Sequence, residues 1–235
     1  MKNKPKLLLF DIDGTLLSAR GIPKRVFLEM MKDWYPDYRN GFQLNFSGLT
    51  DPLIVEKILE MNDSPHSKDE NLIKCMLKDF VERLEVELTP TNPPIILPGV
   101  WRLLKRCKRI PHCKLGLVTG NMERGAEVKL EAAGLDQFFR VGAFGSDHAD
   151  RSKLPPIAIR RAREYFGHPF AKEDIWIIGD SIYDVRCGKD NALRTLAVAT
   201  GVTARQALSD EQPDAVLPDL SDTEQVLRIL ELDSD

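Results

Sequence analysis

The fold of this chain is indicated by one stretch near its start, Leu7-Leu8-Leu9-Phe10-Asp11-Ile12-Asp13-Gly14-Thr15-Leu16. A short apolar run that stops at an acidic residue is typical of a buried strand. Asp11 and Asp13 stand just beyond it, and in an extended segment residues two apart point to the same side. Two buried carboxylates are unfavourable unless a positive group meets them. A plain turn, in which both aspartates cap backbone amides, is the structural alternative.

Similar apolar runs recur along the chain and alternate with helical patterns. The predicted strands are residues 6–10, 114–118, 174–178, 193–199 and, more weakly, 215–217. The predicted helices among them are 100–108, 122–133, 155–166, 184–189 and 223–232. Strands without polar alternation, separated by helices, predict an α/β fold, a Rossmann-like doubly wound parallel sheet with both faces covered. Ligands of such sheets bind at the carboxyl ends of the strands.

Residues 17–95 interrupt this alternation. They contain no comparable strand, and their pattern predicts helices at 24–33, 51–60 and 69–87. Four prolines between Pro90 and Pro98 predict a stiff return to the sheet. We therefore expect an α/β core made of residues 1–16 and 96–235, with a mostly helical insertion at 17–95.

The composition limits the classes of function. Of the 235 residues, 33 are Lys or Arg and 36 are Asp or Glu, so the formal net charge is −3. General binders of nucleic acid or anionic membranes carry a basic excess, and we expect neither partner. The four cysteines form no C-x-x-C pair, which favours reduced thiols and a cytoplasmic location. No pattern specifies an oligomer, and we take a monomer as the working expectation.

A second acidic pair, Asp180 and Asp184, follows the apolar run 175–178. Taken alone, Asp180 is explained as a helix N-cap and Asp184 as a partner of the helix dipole. Two such pairs at two strand ends of one sheet favour a shared site instead. Because the four carboxylates come with no His or Cys, they predict a hard, oxygen-liganded cation, for which Mg²⁺ fits best. The predicted metal ligands are Asp11, Asp13, Asp180 and Asp184.

Two further elements are suited to binding an anion. Thr119-Gly120-Asn121 ends the apolar run 114–118, and its hydroxyl and free amides suit a phosphate-like group. Lys153 stands immediately before Leu154-Pro155-Pro156, where the proline pair marks the start of a helix. Thr119 as a helix cap and Lys153 as an exposed surface residue are the structural alternatives.

Four segments together resemble the signature motifs of the haloacid dehalogenase superfamily of phosphohydrolases. In chain order they are residues 11–16, 117–121, 153–156 and 179–184. Their order and approximate separations agree with that family, and the resemblance covers essentially the whole chain. The insertion at 17–95 resembles the family's helical cap. The third segment departs from the family, reading Lys-Leu-Pro-Pro where relatives more often have Lys-Pro-x-Pro, but it retains the lysine.

This resemblance implies a phosphatase that hydrolyses a small phosphorylated metabolite, a phosphate monoester, through an aspartyl-phosphate. Asp11 is then the nucleophile and Asp13 the general acid and base. Mg²⁺ is held by Asp11, Asp180 and the main-chain carbonyl of Asp13, while Asp184 holds or orients the metal shell. The groups that bind the phosphoryl oxygens come from the second and third motifs and are Thr119, Gly120, Asn121 and Lys153.

One segment of the insertion also resembles part of the family. Its sequence Gly48-Leu49-Thr50-Asp51 resembles a cap segment of phosphoglycolate-phosphatase-like members. The candidates for contact with substrate are Ser47, Gly48, Thr50 and Asp51. Helix capping is the structural alternative, with Thr50 or Asp51 beginning the helix that follows.

Two other functions stay open at this point. A sugar-phosphate mutase of the β-phosphoglucomutase type uses the same nucleophile and needs only the exclusion of water. A protein that binds a phosphorylated ligand without turning it over is expected to lack Asp11 or Asp13, and this chain has both. Small phosphate esters leave no fixed code in cap loops, so the sequence does not name the ester.

Overall fold

The computed structural model describes residues 4–35 and 44–232. The strands in these ranges are β1 (Lys6–Phe10), β2 (Leu17–Ser18), β3 (Ile95–Ile96), β4 (Cys113–Val118), β5 (Gly142–Ala143), β6 (Ile175–Gly179), β7 (Arg194–Val198) and β8 (Ala215–Leu217). The α-helices are α1 (Ile22–Trp34), α2 (Asp51–Met61), α3 (Glu70–Glu87), α4 (Val100–Lys108), α5 (Glu123–Ala133), α6 (Leu154–Phe166), α7 (Ile182–Asp190), α8 (Arg205–Asp210) and α9 (Thr223–Ile229). None of these helices is long and apolar enough to cross a membrane.

Six strands form one parallel sheet in the order β5-β4-β1-β6-β7-β8. β1 is central, with Leu8 opposite Leu115 of β4 on one side and opposite Trp176 of β6 on the other. This arrangement confirms the predicted fold class. The sequence did not predict β5, because its two residues carry no apolar pattern.

The central strand has no exposed side, and all five of its residues are buried. Leu8 and Phe10 pack in an apolar cluster with α4, α5 and α9, whereas Leu7 and Leu9 pack with α6 and α7. Side chains alternate between the two faces of a strand, so each face receives its own layer of helices. Each fully buried Leu or Phe stabilises the fold by roughly 1.5–3 kcal/mol. Cover on both faces explains why the run is continuously apolar.

Helices α1, α2 and α3 form a second apolar cluster, which includes Phe27, Ile58 and Phe80. The rings of Phe27 and Phe80 meet edge to face, with centroids 4.9 Å apart. Val128 of α5 joins this cluster, so α5 packs against both the sheet and the inserted helices. Residues 36–43 of the insertion lie outside the described ranges.

The chain enters and leaves the insertion through two adjacent strands. β2 and β3 pair antiparallel, with Leu17 opposite Ile96 and Ser18 opposite Ile95. The sequence predicted no strand here, because each has only two residues. This pair and the apolar cluster that α1, α2 and α3 form support our proposal that residues 17–95 form a cap domain.

Candidate active site at the strand ends

Three buried carboxylates meet where β1 and β6 end. The backbone N–H of Asp11 donates to the carbonyl of Ile178 at 2.9 Å, which joins the two strand ends. One carboxylate oxygen from each of Asp11, Asp180 and Asp184 lies within 4.8 Å of the other two. The structure therefore brings together three of the four residues that the sequence predicts as metal ligands. Asp13 contributes no carboxylate oxygen to this cluster.

Burial makes the ionised form of the carboxylate cluster unfavourable when no cation is bound. Loss of hydration raises the pKa of Asp11 to about 7, although the nearby Arg151 opposes the rise. Loss of hydration, followed by repulsion from Asp11 and Asp184, raises the pKa of Asp180 to about 8. A divalent cation would oppose these effects, because it stabilises ionised carboxylates.

Two glycines leave room for the carboxylate of Asp180 in the cluster. A Cβ atom on Gly14, whose φ is +84°, would lie 2.5 Å from Oδ2 of Asp180, and one on Gly201 would overlap the same oxygen. Thr15 Oγ1 donates to the other oxygen of Asp180 at 3.1 Å. A compact set of buried carboxylate oxygens, with no nitrogen or sulfur ligand among its members, fits Mg²⁺.

Asp184 belongs to the carboxylate cluster and also caps α7. The Ser181 backbone N–H donates to Asp184 Oδ2 at 3.0 Å, and the Asp184 backbone N–H donates to Ser181 Oγ at 3.2 Å. This reciprocal capping box leaves Asp184 Oδ1 free to face Arg151. The N-cap of α7 is Ser181, so capping does not explain Asp180.

A buried arginine supplies positive charge at the cluster. Arg151 Nη2 lies 2.8 Å from Asp11 Oδ1 and 2.5 Å from Asp184 Oδ1, and only 7% of the arginine side chain is exposed. Its Nη1 donates to the carbonyl of Gly48 at 3.3 Å. Three ionised carboxylates and one guanidinium leave two negative charges, which a divalent cation balances.

Lys153 lies outside this site, contrary to the sequence-based prediction. Its side chain is exposed, as the surface alternative expected. Arg151–Lys153 form a 3₁₀ turn in which the Asp150 side chain accepts from the backbone N–H of Ser152 at 2.9 Å. Residues two apart in such a turn point in different directions. Arg151 therefore faces the strand ends while Lys153 faces solvent, and we correct the predicted cation to Arg151.

Asp13 lies beside the cluster and is held by two core residues. Its Oδ2 accepts from Asn121 Nδ2 at 2.8 Å and lies 2.5 Å from Lys129 Nζ. Lys129 also donates to Asn121 Oδ1. The Asp13 side chain is 41% exposed, whereas that of Lys129 is 2% exposed. Solvent therefore reaches the Asp13 side chain, while the buried Asn121 and Lys129 hold its Oδ2.

Lys129 is a site residue that the sequence analysis missed. Gly125 and Ala132 stand four residues before it and three after it, so all three share one face of α5. That face is buried. The signal in the sequence is a lysine on the buried face of an amphipathic helix, but the helical pattern of 122–133 alone does not indicate a role in the site.

The predicted phosphate-binding tripeptide, residues 119–121, directly follows β4 and is buried. Thr119 has no exposed surface, and Asn121 is 7% exposed. Asn121 Nδ2 donates to Thr119 Oγ1 at 2.7 Å. The N-cap of α5 is Met122, so the helix-cap alternative for Thr119 is wrong.

The cap segment 48–51 docks directly on the strand ends. A Cβ atom on Gly120 would overlap the carbonyl oxygen of Leu49, and the Gly120 carbonyl accepts from the Asp51 backbone N–H at 2.8 Å. Asp51 Oδ2 accepts in turn from the backbone N–H of Met122 at 2.8 Å. Burial raises the pKa of Asp51 to about 6. The described contacts of Asp51 are therefore with the core.

Thr50 makes hydrogen bonds both to α2 and to the core. It is fully buried; its Oγ1 accepts from the Leu53 backbone N–H at 3.3 Å and donates to the carbonyl of Ala149 at 2.6 Å. Thr50 is thus the N-cap of α2, as the structural alternative expected. Ser47 and Gly48 are half-buried. Of the four cap candidates, Gly48 is the one whose carbonyl reaches the guanidinium at the carboxylate cluster.

The sequence matches a known protein family over most of its length. A family model described as "Haloacid dehalogenase-like hydrolase" matches residues 8–198. The pyrophosphatase PpaX of Listeria monocytogenes serotype 4a (strain HCC23) is 27% identical over 230 residues, which are 97% of this chain and 99% of that protein.

Solved structures share the fold. CbbY from Rhodobacter sphaeroides, solved in complex with phosphate, has a TM-score of 0.68 and 19% identity, over 93% of this chain and 96% of its own. A protein described as a predicted phosphatase from Clostridium acetobutylicum has a TM-score of 0.70 and 20% identity, over 96% of this chain and 100% of its own. At these identities the likeness shows the shared fold alone.

Proposed function

We propose that this chain, which belongs to the haloacid dehalogenase-like hydrolases, is a Mg²⁺-dependent phosphatase that hydrolyses a small phosphate monoester through an aspartyl-phosphate. The observation that supports this most is the setting of Asp11. It is buried at the end of β1, with Arg151 at 2.8 Å and two further carboxylates within 4.8 Å. With Arg151 and a bound divalent cation beside it, this carboxylate would stay ionised, as a nucleophile must.

The reaction would take two steps, and Asp11 and Asp13 have a role in each. In the first, a carboxylate oxygen of Asp11 bonds to phosphorus, the bond to the leaving oxygen breaks, and Asp13 gives that oxygen a proton. In the second, Asp13 takes a proton from water, which bonds to phosphorus and displaces the Asp11 carboxylate. Phosphate is released and both aspartates regain their starting state. The partial exposure of the Asp13 side chain, 41%, is compatible with its contact with both leaving group and water.

The residues that would hold Mg²⁺ are Asp11, Asp180 and the main-chain carbonyl of Asp13, with Asp184 orienting the shell. The cation supplies positive charge between the anionic nucleophile and the anionic phosphoryl group, which lowers their repulsion. The protein itself orients the nucleophile, because the hydrogen bond from Arg151 to Asp11 Oδ1 restricts rotation of that carboxylate.

Several groups would share the phosphoryl oxygens. We assign them to the Thr119 hydroxyl, to the backbone N–H groups of Gly120 and Asn121, and to Arg151 in place of Lys153. Hydrolysis of a phosphate monoester can require an acceleration of up to ~10²¹-fold, or about 28 kcal/mol. No single donor supplies that much, so convergence of a cation and several donors on one group is expected.

Inorganic pyrophosphate is the second candidate substrate. It is favoured by the similarity to PpaX, which extends over nearly the full length of both proteins. The same two steps then apply, with phosphate instead of an alcohol as the leaving group.

A turnover screen tests the proposal. Purified protein is incubated with Mg²⁺ and a panel of phosphorylated metabolites that includes pyrophosphate, and phosphate release is measured. We expect one or a few monoesters to exceed pyrophosphate in kcat/KM, with activity lost in EDTA and restored by Mg²⁺. Pyrophosphate as the best substrate would establish the second candidate, and isomerisation of a sugar phosphate would indicate a mutase. Undiminished turnover in metal-stripped protein would contradict the metal site.

A further inference from the structure

Lys129 is a buried cation outside the four motif segments. Its side chain is 2% exposed, and its Nζ lies 2.5 Å from Asp13 Oδ2. Its second partner is Asn121 Oδ1. A buried ammonium is unfavourable unless it is paired, and apolar neighbours of the same size often serve stability as well or better. Stability alone therefore does not explain a lysine at this position.

The hydrogen bonds to the Asp13 carboxylate are all made with one of its two oxygens. Lys129 Nζ and Asn121 Nδ2 both meet Oδ2, and Oδ1 makes no hydrogen bond within the described residues. With 41% of the side chain exposed, Oδ1 is the oxygen available to a bound ester. Two donors on one oxygen fix the rotation of the carboxylate.

We propose that Lys129 is a positioning residue for Asp13, which fixes the Asp13 carboxylate so that Oδ1 faces the leaving oxygen of the ester. The inference rests on the proposed function, because it takes Asp13 as the group that protonates that oxygen. Asn121 helps, since it donates to Asp13 and accepts from Lys129. A purely structural role, neutralising Asp13 or the neighbouring Asp51, is the competing explanation.

The leaving group separates the two explanations. p-Nitrophenyl phosphate needs little proton transfer to its leaving oxygen, whereas an alkyl phosphate needs it fully. Proton transfer from a well-placed side chain contributes ~10²–10⁴-fold. In Lys129→Met we expect kcat/KM for the alkyl ester to fall by at least ~10²-fold and that for p-nitrophenyl phosphate by less than ~10-fold. The ratio kcat/KM is used because it reports the first chemical step.

Two further variants make the test specific. In an Asp13→Asn background, adding Lys129→Met should cause no further loss with either ester, because a positioning residue acts only through its target. Lys153→Met removes an exposed lysine and should leave both rates unchanged. Should Lys129→Met not fold, Lys129→Gln takes its place; its side chain is one bond shorter and carries no charge, so it should show the same selective loss.

The outcomes are distinct. Equal losses with both esters, no loss with either, or a further loss in the Asp13→Asn background would each overturn the role of Lys129 while leaving the proposed function intact. A wild-type protein that releases phosphate from no monoester of the panel would overturn the proposed function and this inference with it.

Discussion

The guanidinium of Arg151 donates a hydrogen bond to the carboxylate of Asp11 across 2.8 Å, and both side chains are buried. A buried pair of this kind is costly to break, because the remaining charge is left without its partner. The same bond restricts the direction in which the second oxygen of Asp11 points. The stability of the fold and the orientation of the proposed nucleophile are therefore coupled through one contact.

Replacing Arg151 by methionine is expected to lower both stability and activity. The free energy of unfolding should fall by about 3–5 kcal/mol, because Asp11 and Asp184 lose a shared buried partner. Arg151→Lys keeps the charge but not the planar fork, and should retain at most about a tenth of the wild-type kcat/KM. Urea denaturation and turnover of the same preparations check this. Lys153→Met is the matched control, and a loss there as large as in Arg151→Met would contradict the placement of the cation.

Asp11→Asn should abolish turnover without unfolding the protein, because the amide keeps the shape of the carboxylate and removes its negative charge. Acid quenching of the wild type with ³²P-labelled substrate should trap a hydroxylamine-sensitive phosphoryl group on the protein, and Asp11→Asn should trap none. Asp13→Asn keeps the nucleophile, so with p-nitrophenyl phosphate it should accumulate the labelled protein. Trapped label in active Asp11→Asn protein would place the nucleophile elsewhere.

Metal dependence should distinguish Asp180 from Asp184. Asp180→Ala should weaken activation by Mg²⁺ strongly, because it removes a carboxylate of the cluster that would hold the cation. Asp184→Ala should affect the metal less but cost about 1 kcal/mol through the lost cap of α7, and more through the contact with Arg151. Turnover during Mg²⁺ titration measures the effect on activation, and melting curves in EDTA measure the effect on stability. Wild-type metal dependence in Asp180→Ala would mean that the metal binds elsewhere.

Thr50→Val should lower stability while leaving the order of substrates unchanged. The change removes the N-cap of α2 and the hydrogen bond to the Ala149 carbonyl, and each loss costs about 1–2 kcal/mol. Urea denaturation measures the first effect, and kcat/KM for several esters measures the second. A changed ranking of esters would show instead that Thr50 contacts substrate.

Glu231 should make stability depend on pH in the acid range. Its hydrogen bonds from Lys6 and Arg194 lower its pKa to about 2. Because the folded pKa lies below the usual value, this contribution is present above pH ~4.5 and is lost as the pH falls towards ~2. The side chain is 56% exposed, so the contribution is below ~1 kcal/mol and weakens with salt. Urea denaturation from pH 7 to pH 3 should give a flatter profile for Glu231→Gln, and an unchanged profile would contradict this.

The sheet was predictable because its strands are continuous apolar runs. The cluster of Asp11, Asp180 and Asp184 followed from the same logic, since the carboxyl ends of adjacent parallel strands meet at one edge. Strands of two residues, such as β5, carry no such pattern and were missed.

The two buried cations of this site, Arg151 and Lys129, are the residues that the sequence does not predict. Arg151 is in a 3₁₀ turn, where no periodicity indicates which residue faces inward, so the lysine at position 153 was preferred on resemblance. Lys129 lies on a helix face, and its role depends on Asp13, which stands 116 positions earlier in the chain. Only the tertiary fold brings that pair together.

The antiparallel pairing of Ser18 with Ile95 has an evolutionary consequence. The departing and returning chains are neighbouring strands, and such strands lie about 4.7–4.9 Å apart. For the six-stranded sheet, the whole insertion is therefore equivalent to a long hairpin loop. Recombination at this point can exchange one set of helices for another of different size without altering the register of the sheet. Descendants of one ancestor can in this way acquire new specificities by grafting, while the residues of the proposed active site stay where they are.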